Sequence, residues 1–245
     1  MRKEYTFKVL RYDPARDRRP HYQSFRVPYT EAMTVLDGLF YIQYRLDGTL
    51  AFRNACRAAV CGSCAMHING KYRLACETQV THISRGTVCI RPMSNLPIMK
   101  DLVTDMTKFW EKYRYIEPWL IPGKPAISNA EYVQTPDQRI NLDLVVDCIL
   151  CGICTQSCTV TATDENYLGP AALLKADRFI SDSRDSATFE RLDLIDSEHG
   201  LWKCHTIYNC QLLCPKKLNP TGAIKSLQRR IVHRYLSYNE PSGRD

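Results

Sequence analysis

"CRAAVCGSCAMHINGKYRLAC", residues 56–76, carries four cysteines whose spacing decides how the first part of the chain is read. Cys56, Cys61 and Cys64 run as C-x₄-C-x₂-C, and Cys76 follows after eleven further residues. This is the plant-type spacing of a 2Fe–2S cluster, in which one loop wraps two irons and a distant cysteine closes the other side. Gly62, between the second and third cysteines, lets the backbone approach the cluster without a Cβ in the way. Amide N–H groups in such a loop can point at the sulfurs and stabilise the reduced, more negative state. Zinc also binds four cysteines, but zinc sites usually come as two C-x₂₋₄-C pairs. Cys64-x₂-His67 hints at a Rieske centre, yet the sequence holds no C-x-H partner for it.

Between the third and fourth cysteines lies a hairpin centred on Asn69-Gly70, a dipeptide suited to a type I′ turn. Upstream, "EYTFKVL" alternates with Tyr5, Phe7 and Val9 on one face, and "SFRVP" does so with Phe25 and Val27. The charged, turn-rich "RYDPARDRRPHY" separates these two strands. A helix follows, with Thr30 as N-cap, Glu31 in its first turn and an apolar stripe of Met33, Leu36, Phe40 and Tyr44. "TVCIRPM" supplies a last strand. Two strands, a helix and further strands describe a β-grasp domain over residues 1–100.

From residue 101 the period changes. Leu102, Met106, Phe109, Trp110 and Tyr113 recur at helical spacing, so "KDLVTDMTKFWEKYRYI" reads as one helix. Pro118, Pro122, Pro125 and Pro136 stud a connector between residues 117 and 140 that lacks the Gly/Ser richness of a flexible tether. "PAALLKADRFIS", "ATFERLDLID" and "PTGAIKSLQRRIVHRYL" are helical, with cysteine loops between them. The fold class is α+β: a ferredoxin-like 2Fe–2S domain, then an all-α domain of bacterial-ferredoxin type over residues 101–245.

Those later loops hold two more cysteine runs. "CILCGICTQSC" places Cys148, Cys151, Cys154 and Cys158 as C-x₂-C-x₂-C-x₃-C. In two-cluster ferredoxins the fourth cysteine of each such run crosses to the other cluster. The reciprocal run is "CHTIYNCQLLCP", with Cys204, Cys210 and Cys214-Pro215 in place and Ile207 where the second ligand belongs. Applying the crossing, Cys148, Cys151, Cys154 and Cys214 hold a 4Fe–4S cluster. Cys158, Cys204 and Cys210 remain for a second cluster with one corner unliganded. An isoleucine cannot ligate iron and excludes water, so that corner iron is expected to be absent, giving a 3Fe–4S cluster. One thiolate fewer lowers the negative charge and raises the reduction potential. Cys89 is left over and reads as an inert buried thiol in a strand. Three centres with no substrate pocket among them form an electron conduit.

Composition supports a metal-bearing, non-secreted class. The chain has 245 residues, 12 cysteines and a net charge of +7, and nothing marks it for an oxidising compartment, so a disulfide framework is not expected. No apolar run reaches the roughly 20 residues that span a bilayer, and the charged start "MRKEYTFKVLRYD" is no signal peptide. Basic residues gather in "KSLQRRIVHRYL", either a solvated helix face or a contact for an acidic partner or lipid headgroups. Nucleic-acid binding has no supporting motif.

"CRAAVCGSCAM", "LACET", "CILCGIC", "DSRD" and "LWKCHTIYNCQLLCPKKLNP", with these ligand spacings, resemble the iron–sulfur subunit of succinate dehydrogenase and fumarate reductase (respiratory complex II). The resemblance spans nearly the whole chain. It implies a partner subunit carrying FAD, a membrane anchor, of which cytochrome b is one kind, and a quinone at the interface with that anchor. It implies electron flow through flavin, two-iron, four-iron and three-iron centres to quinone, and a peripheral position on the cytoplasmic or matrix face of an energy-transducing membrane. His205 matches the histidine beside the three-iron cluster in that family and is a candidate quinone contact. Lys216 and Lys217 follow the last ligand, where their charge would raise a nearby potential. Three positions depart from the commoner pattern. Ala59 stands where glycine is frequent, Thr159 replaces a proline, and Thr163 lies near the place of a tryptophan that lines the quinone pocket. The alternatives are a free-standing ferredoxin, an electron-transfer subunit of another multi-subunit oxidoreductase, or a zinc-stabilised adaptor, which would be colourless.

Overall fold

A computed structural model describes residues 4–123, 131–140, 142–143 and 145–238. Met1–Lys3 and Pro125 of the connector lie outside the described residues. In chain order the first elements are β1 (Glu4–Arg11), β2 (His21–Pro28), α1 (Val35–Tyr41), β3 (Ala65–Ile68) and β4 (Lys71–Leu74). Next come α2 (Val80–Ile83), β5 (Thr87–Arg91), β6 (Ile98–Lys100), β7 (Val103–Thr104) and α3 (Thr107–Tyr115). The later elements are α4 (Pro136–Ile140), α5 (Ile153–Gln156), α6 (Thr159–Thr163), α7 (Gly169–Ile180), α8 (Thr188–Ile195), α9 (Asn209–Leu212) and α10 (Pro220–Tyr238).

These elements form two compact units that are not contiguous in sequence. The first runs to Thr107 and takes in Ile149–Ser157 and Leu213–Lys216; the second comprises Lys108–Cys148, Cys158–Leu212 and the chain from Lys217 onward. The reason is visible in the first unit's core, where Ile153 is fully buried and Ile149, Cys151 and Leu213 pack against the sheet domain's apolar residues.

In the first unit a mixed five-stranded sheet has the order β2-β1-β5-β3-β4, with β1 and β5 parallel and the other pairs antiparallel. The alternation of β1 places Tyr5, Phe7 and Val9 in the core with Phe25 and Val27 of β2. At the β3–β4 hairpin Asn69 and Gly70 both have positive φ, 45° and 80°, as a type I′ turn requires. Helix α1 buries Val35, Leu36 and Leu39, each contributing about 1.5–3 kcal/mol relative to exposure. It approaches the sheet so closely that a Cβ on Gly38 would stand 2.1 Å from Cζ of Phe7.

Two sequence expectations are corrected here. The N-cap of α1 is Thr34, not Thr30: the Thr34 hydroxyl accepts from Asp37 N at 3.2 Å and Asp37 Oδ2 accepts from Thr34 N at 2.9 Å, a complete capping box. Thr30 instead closes a turn to Met33, and Ala32 at φ 58° interrupts any earlier helix. Nor is 100–116 one helix. Residues up to Thr104 form the β6–β7 hairpin, and α3 begins only at Thr107, with Asp105 Oδ1 accepting from Thr107 N at 2.9 Å. The cause is Asp101, buried at 1 % exposure, whose carboxylate accepts from Arg11 Nε, Tyr12 N and Ala51 N. That demand for three donors outweighs a helical apolar period.

The second unit, among the described residues, is helical. Its core joins Leu173, Ala176 and Ile180 of α7, Leu192 and Ile195 of α8, and Ile224, Leu227 and Ile231 of α10. Within the "DSRD" turn, Asp182 pairs with Arg178 and Arg184, and Asp185 pairs with Arg191. Arg191 also donates to the carbonyls of Ile116, Glu117 and Trp119, which fixes the start of the proline connector. No described helix is long and apolar enough to cross a membrane.

Candidate iron–sulfur centres

The loop before β3 turns its amides onto sulfur. Ala58 N, Val60 N and Cys61 N each lie 3.3 Å from Cys56 Sγ, and Cys56 N lies 3.5 Å from Cys61 Sγ. Ala59 N reaches across to Cys76 Sγ at 3.3 Å, tying the loop to the end of β4. The loop achieves this with Arg57 at φ 57°, Ala59 at 55° and Gly62 at 72°. Left-handed residues among right-handed ones gather N–H groups on one side, which makes an anion-binding concavity. A non-glycine residue held there costs about 1–3 kcal/mol, and such strain collects at functional sites. Ala59 therefore carries the strain that a glycine would relieve.

These four thiols differ in environment. Burial raises the Cys61 thiol, but N–H and hydroxyl donors of Cys56 and Ser63 outweigh it and hold the group at about 6. Cys64 is pushed up to about 12 by burial beside Cys76. Cys56 and Cys61 are exposed and Cys64 is buried, so the centre has one wet edge.

Of the predicted four-iron ligands, Cys151, Cys154 and Cys214 belong to the first unit, and Cys148 immediately precedes its Ile149–Ser157 segment. Their loop repeats the device, with Leu150 at φ 53° and Gly152 at 79°. Gly62 lies against this loop: a Cβ there would meet Cys151 and the Ile149 carbonyl. The sequence assigned Gly62 to close cluster approach; the neighbour that fills its space is the second cysteine loop.

The three-iron candidates, Cys158, Cys204 and Cys210, come together in the second unit. Cys158 and Cys204 pack against its apolar core and Cys210 is buried. Thr221 Oγ1 of α10 is 3.2 Å from Cys210 Sγ. Tyr167, at 1 % exposure, lies beside Cys204 and Cys158, and its phenol is pushed up by burial and then by those two thiols. Burial likewise raises the Cys210 thiol, against the Thr221 hydroxyl. Spacing gave no sign of Tyr167, in the turn before α7, or of Thr221, in the first turn of α10; neither carries a local sequence signal for a sulfur partner. Thr206 and Tyr208, at φ 56° and 67°, flank Ile207. His205, Ile207 and Tyr208 are exposed, as is Trp202.

Thr159 occupies the first turn of α6, a place that suits proline, and the helix forms without it. Thr163 is exposed, and its hydroxyl donates to the carbonyls of Thr159 and Val160. Cys89 is half-buried rather than buried; its N is held by Asn69 Oδ1 at 2.7 Å, in the middle of the sheet and away from the three ligand groups in sequence. On α10, Arg229, Arg230, His233 and Arg234 line an open groove of about 870 Å³ with Phe189 and Leu192.

The donor set fits iron–sulfur clusters. Sulfurs in two separate sites are met by N–H and O–H groups, the partners that thiolates need. Among the described residues no cysteine forms a disulfide, and no three His, Cys, Asp or Glu converge enough for a single ion. Thiolates of a cluster stand farther apart than those around one tetrahedral zinc, whose Zn–S bonds are about 2.3 Å.

A 2Fe–2S module followed by a dicluster module defines an iron–sulfur electron carrier. Residues 6–111 match the model of a 2Fe-2S iron-sulfur cluster binding domain, and residues 145–218 match that of a 4Fe-4S dicluster domain. The chain is 43 % identical over 228 residues to mitochondrial succinate dehydrogenase (ubiquinone) iron–sulfur subunit 1 of Oryza sativa subsp. japonica, covering 91 % of this chain and 81 % of that protein. It is 40 % identical over 218 residues to the fumarate reductase iron–sulfur subunit of Mycobacterium tuberculosis (strain CDC 1551 / Oshkosh), covering 89 % and 88 %. A solved chain of the Mycobacterium smegmatis Sdh1 complex in the apo form superposes with a TM-score of 0.88 at 26 % identity, over 99 % of this chain and all of that one. The chain belongs to the family of succinate dehydrogenase and fumarate reductase iron–sulfur subunits.

Proposed function

We propose that this chain relays single electrons between FAD in a flavoprotein subunit and a quinone held at a membrane anchor, as the iron–sulfur subunit of a succinate:quinone oxidoreductase or quinol:fumarate reductase. It is a peripheral, membrane-associated part of that complex and carries no dicarboxylate site of its own, because hydride chemistry belongs to the flavin. The cytoplasmic or matrix face is the side that fits the family reading. When bound, the clusters supply one-electron carriers of graded potential.

The chain's residues set that gradient. Cys56, Cys61, Cys64 and Cys76 hold the two-iron centre; Cys148, Cys151, Cys154 and Cys214 hold the four-iron centre; Cys158, Cys204 and Cys210 hold the three-iron centre. Amides from Ala58, Ala59, Val60 and Cys61 stabilise negative charge on sulfur. Ile207 keeps the fourth corner of the last site free of a ligand. His205, exposed beside Cys204, is placed to donate a hydrogen bond or proton to a quinone oxygen. The observation that carries the reading is the supply of N–H and hydroxyl donors to sulfurs at two separate cysteine groups.

Low-temperature EPR of the purified complex through a redox titration tests it. A signal in the oxidised state that vanishes on mild reduction, with two more appearing at lower potentials, is the expected pattern. A silent oxidised protein with two four-iron signals on reduction would reject the three-iron assignment.

A further inference from the structure

Gly62 sits between two ligands of one centre, Cys61 and Cys64, and touches a ligand of the next, Cys151. A Cβ on Gly62 would lie 2.8 Å from Cys151 Cβ, 2.9 Å from its Cα and 2.9 Å from the Ile149 carbonyl oxygen. Backbone and a Cβ occupy that space, so no side-chain rotation could make room. Gly62 and Cys151 lie within the same compact unit.

We propose that this contact is the crossing point for the electron between the two-iron and four-iron centres, and that Gly62 is the spacer that fixes their separation. The proposal rests on the ligand assignment above. From the sulfur of Cys61 the route is covalent through the backbone into Gly62. A single through-space step then reaches Cys151, whose Cβ bears the next sulfur. One electron crosses, oxidising one centre and reducing the other by one; no bond is made or broken and no proton moves. Tunnelling decays far more steeply across a gap than along bonds, so the width of this contact governs the step. A methyl group at residue 62 widens it, because the atoms it meets cannot turn aside.

Glycine is also favoured there by its φ of 72°, so strain must be separated from contact. Gly70 is the control: its φ is 80° and nothing lies within 4 Å of a Cβ built on it. The experiment compares intact complexes carrying Gly62→Ala, Gly62→Asn and Gly70→Ala, asparagine being the L-residue most at ease in the left-handed region. Iron content and EPR spin counts report whether the clusters are present, which tests the ligand assignment. Power saturation of the two-iron signal with the four-iron centre reduced, and freeze-quenched electron transfer between them, report the crossing. The expected result is full cluster content with weakened magnetic coupling and severalfold slower transfer in the Gly62 variants, and wild-type behaviour in Gly70→Ala. Unchanged coupling and rate in a Gly62 variant that retains both clusters would overturn the proposal. Should neither Gly62 variant retain them, the wild-type complex decides: mutual relaxation of the two signals supports a contact crossing, and independent relaxation overturns it.

Discussion

The hydroxyl of Thr221 lies 3.2 Å from the Sγ of Cys210, and both residues are buried. Once Cys210 is a thiolate ligand, the hydroxyl can only donate, and the same holds for the Tyr167 phenol beside Cys204. Hydrogen bonds to cluster sulfurs are among the terms that set potential, and donors favour the more negative, reduced state. Thr221→Val and Tyr167→Phe should each lower the midpoint of the three-iron signal. A differential of about 1 kcal/mol corresponds to about 40 mV for a one-electron couple. Redox titration followed by EPR measures it, and a midpoint that stays in place in both variants refutes the assigned donors.

In the proposed assignment Ile207 stands at the corner that lacks a thiolate. Ile207→Cys should supply one from a loop already shaped by Thr206 and Tyr208 in left-handed conformations. The oxidised-state EPR signal should disappear and a second four-iron signal appear at lower potential. Persistence of the oxidised signal at full intensity would mean that residue 207 does not face the open corner.

Arg191 and Asp185 form an ion pair at 3.0 Å with side-chain exposures of 1 % and 0 %. Asp185 also accepts from Ile121 N and Ala187 N, and Arg191 holds three connector carbonyls. Arg191→Leu would strand a buried carboxylate and orphan those carbonyls, at a cost of about 3–5 kcal/mol. Urea denaturation should show a lower midpoint at unchanged slope. A shift of less than about 1 kcal/mol would place the pair among inconsequential surface bridges.

Asp177 of α7 is 7 % exposed, its Oδ1 has no hydrogen-bond partner, and burial raises its carboxyl from 3.8 to about 6 against Arg230 and Ser181. Across that window the folded state keeps a proton that the unfolded chain has released, so stability falls as pH rises from about 4 to 6. Asp177→Asn should remove the loss, stabilising the protein near pH 7.5 by up to about 3 kcal/mol and changing little near pH 4. Thermal melts at both pH values decide it; equal effects at the two would show that the carboxyl is not titrating.

Much of the fold was legible because strands and hairpins write themselves locally. Tyr5, Phe7 and Val9 alternate because one face of β1 is buried, and Asn69-Gly70 turns because both residues tolerate positive φ. Helix limits were less legible. Thr30 and Thr34 are equally good caps in isolation, and only the turn at Ala32 and the Asp37 side chain choose between them. Likewise Leu102 and Met106 fit a helical period until Asp101 is drawn into the core by Arg11.

The sequence by itself determined which cysteines are spaced as ligand loops and where that spacing lacks a cysteine, at Ile207, because loop ligation depends on spacing along the chain. Only the tertiary structure decided what surrounds each sulfur. Tyr167 lies beside Cys204 from the turn before α7, Thr221 of α10 reaches Cys210, and Gly62 meets Cys151 from another loop. Hydrogen bonds and close contacts act over a few ångströms of space, whatever the distance in sequence, so no spacing rule could have announced them.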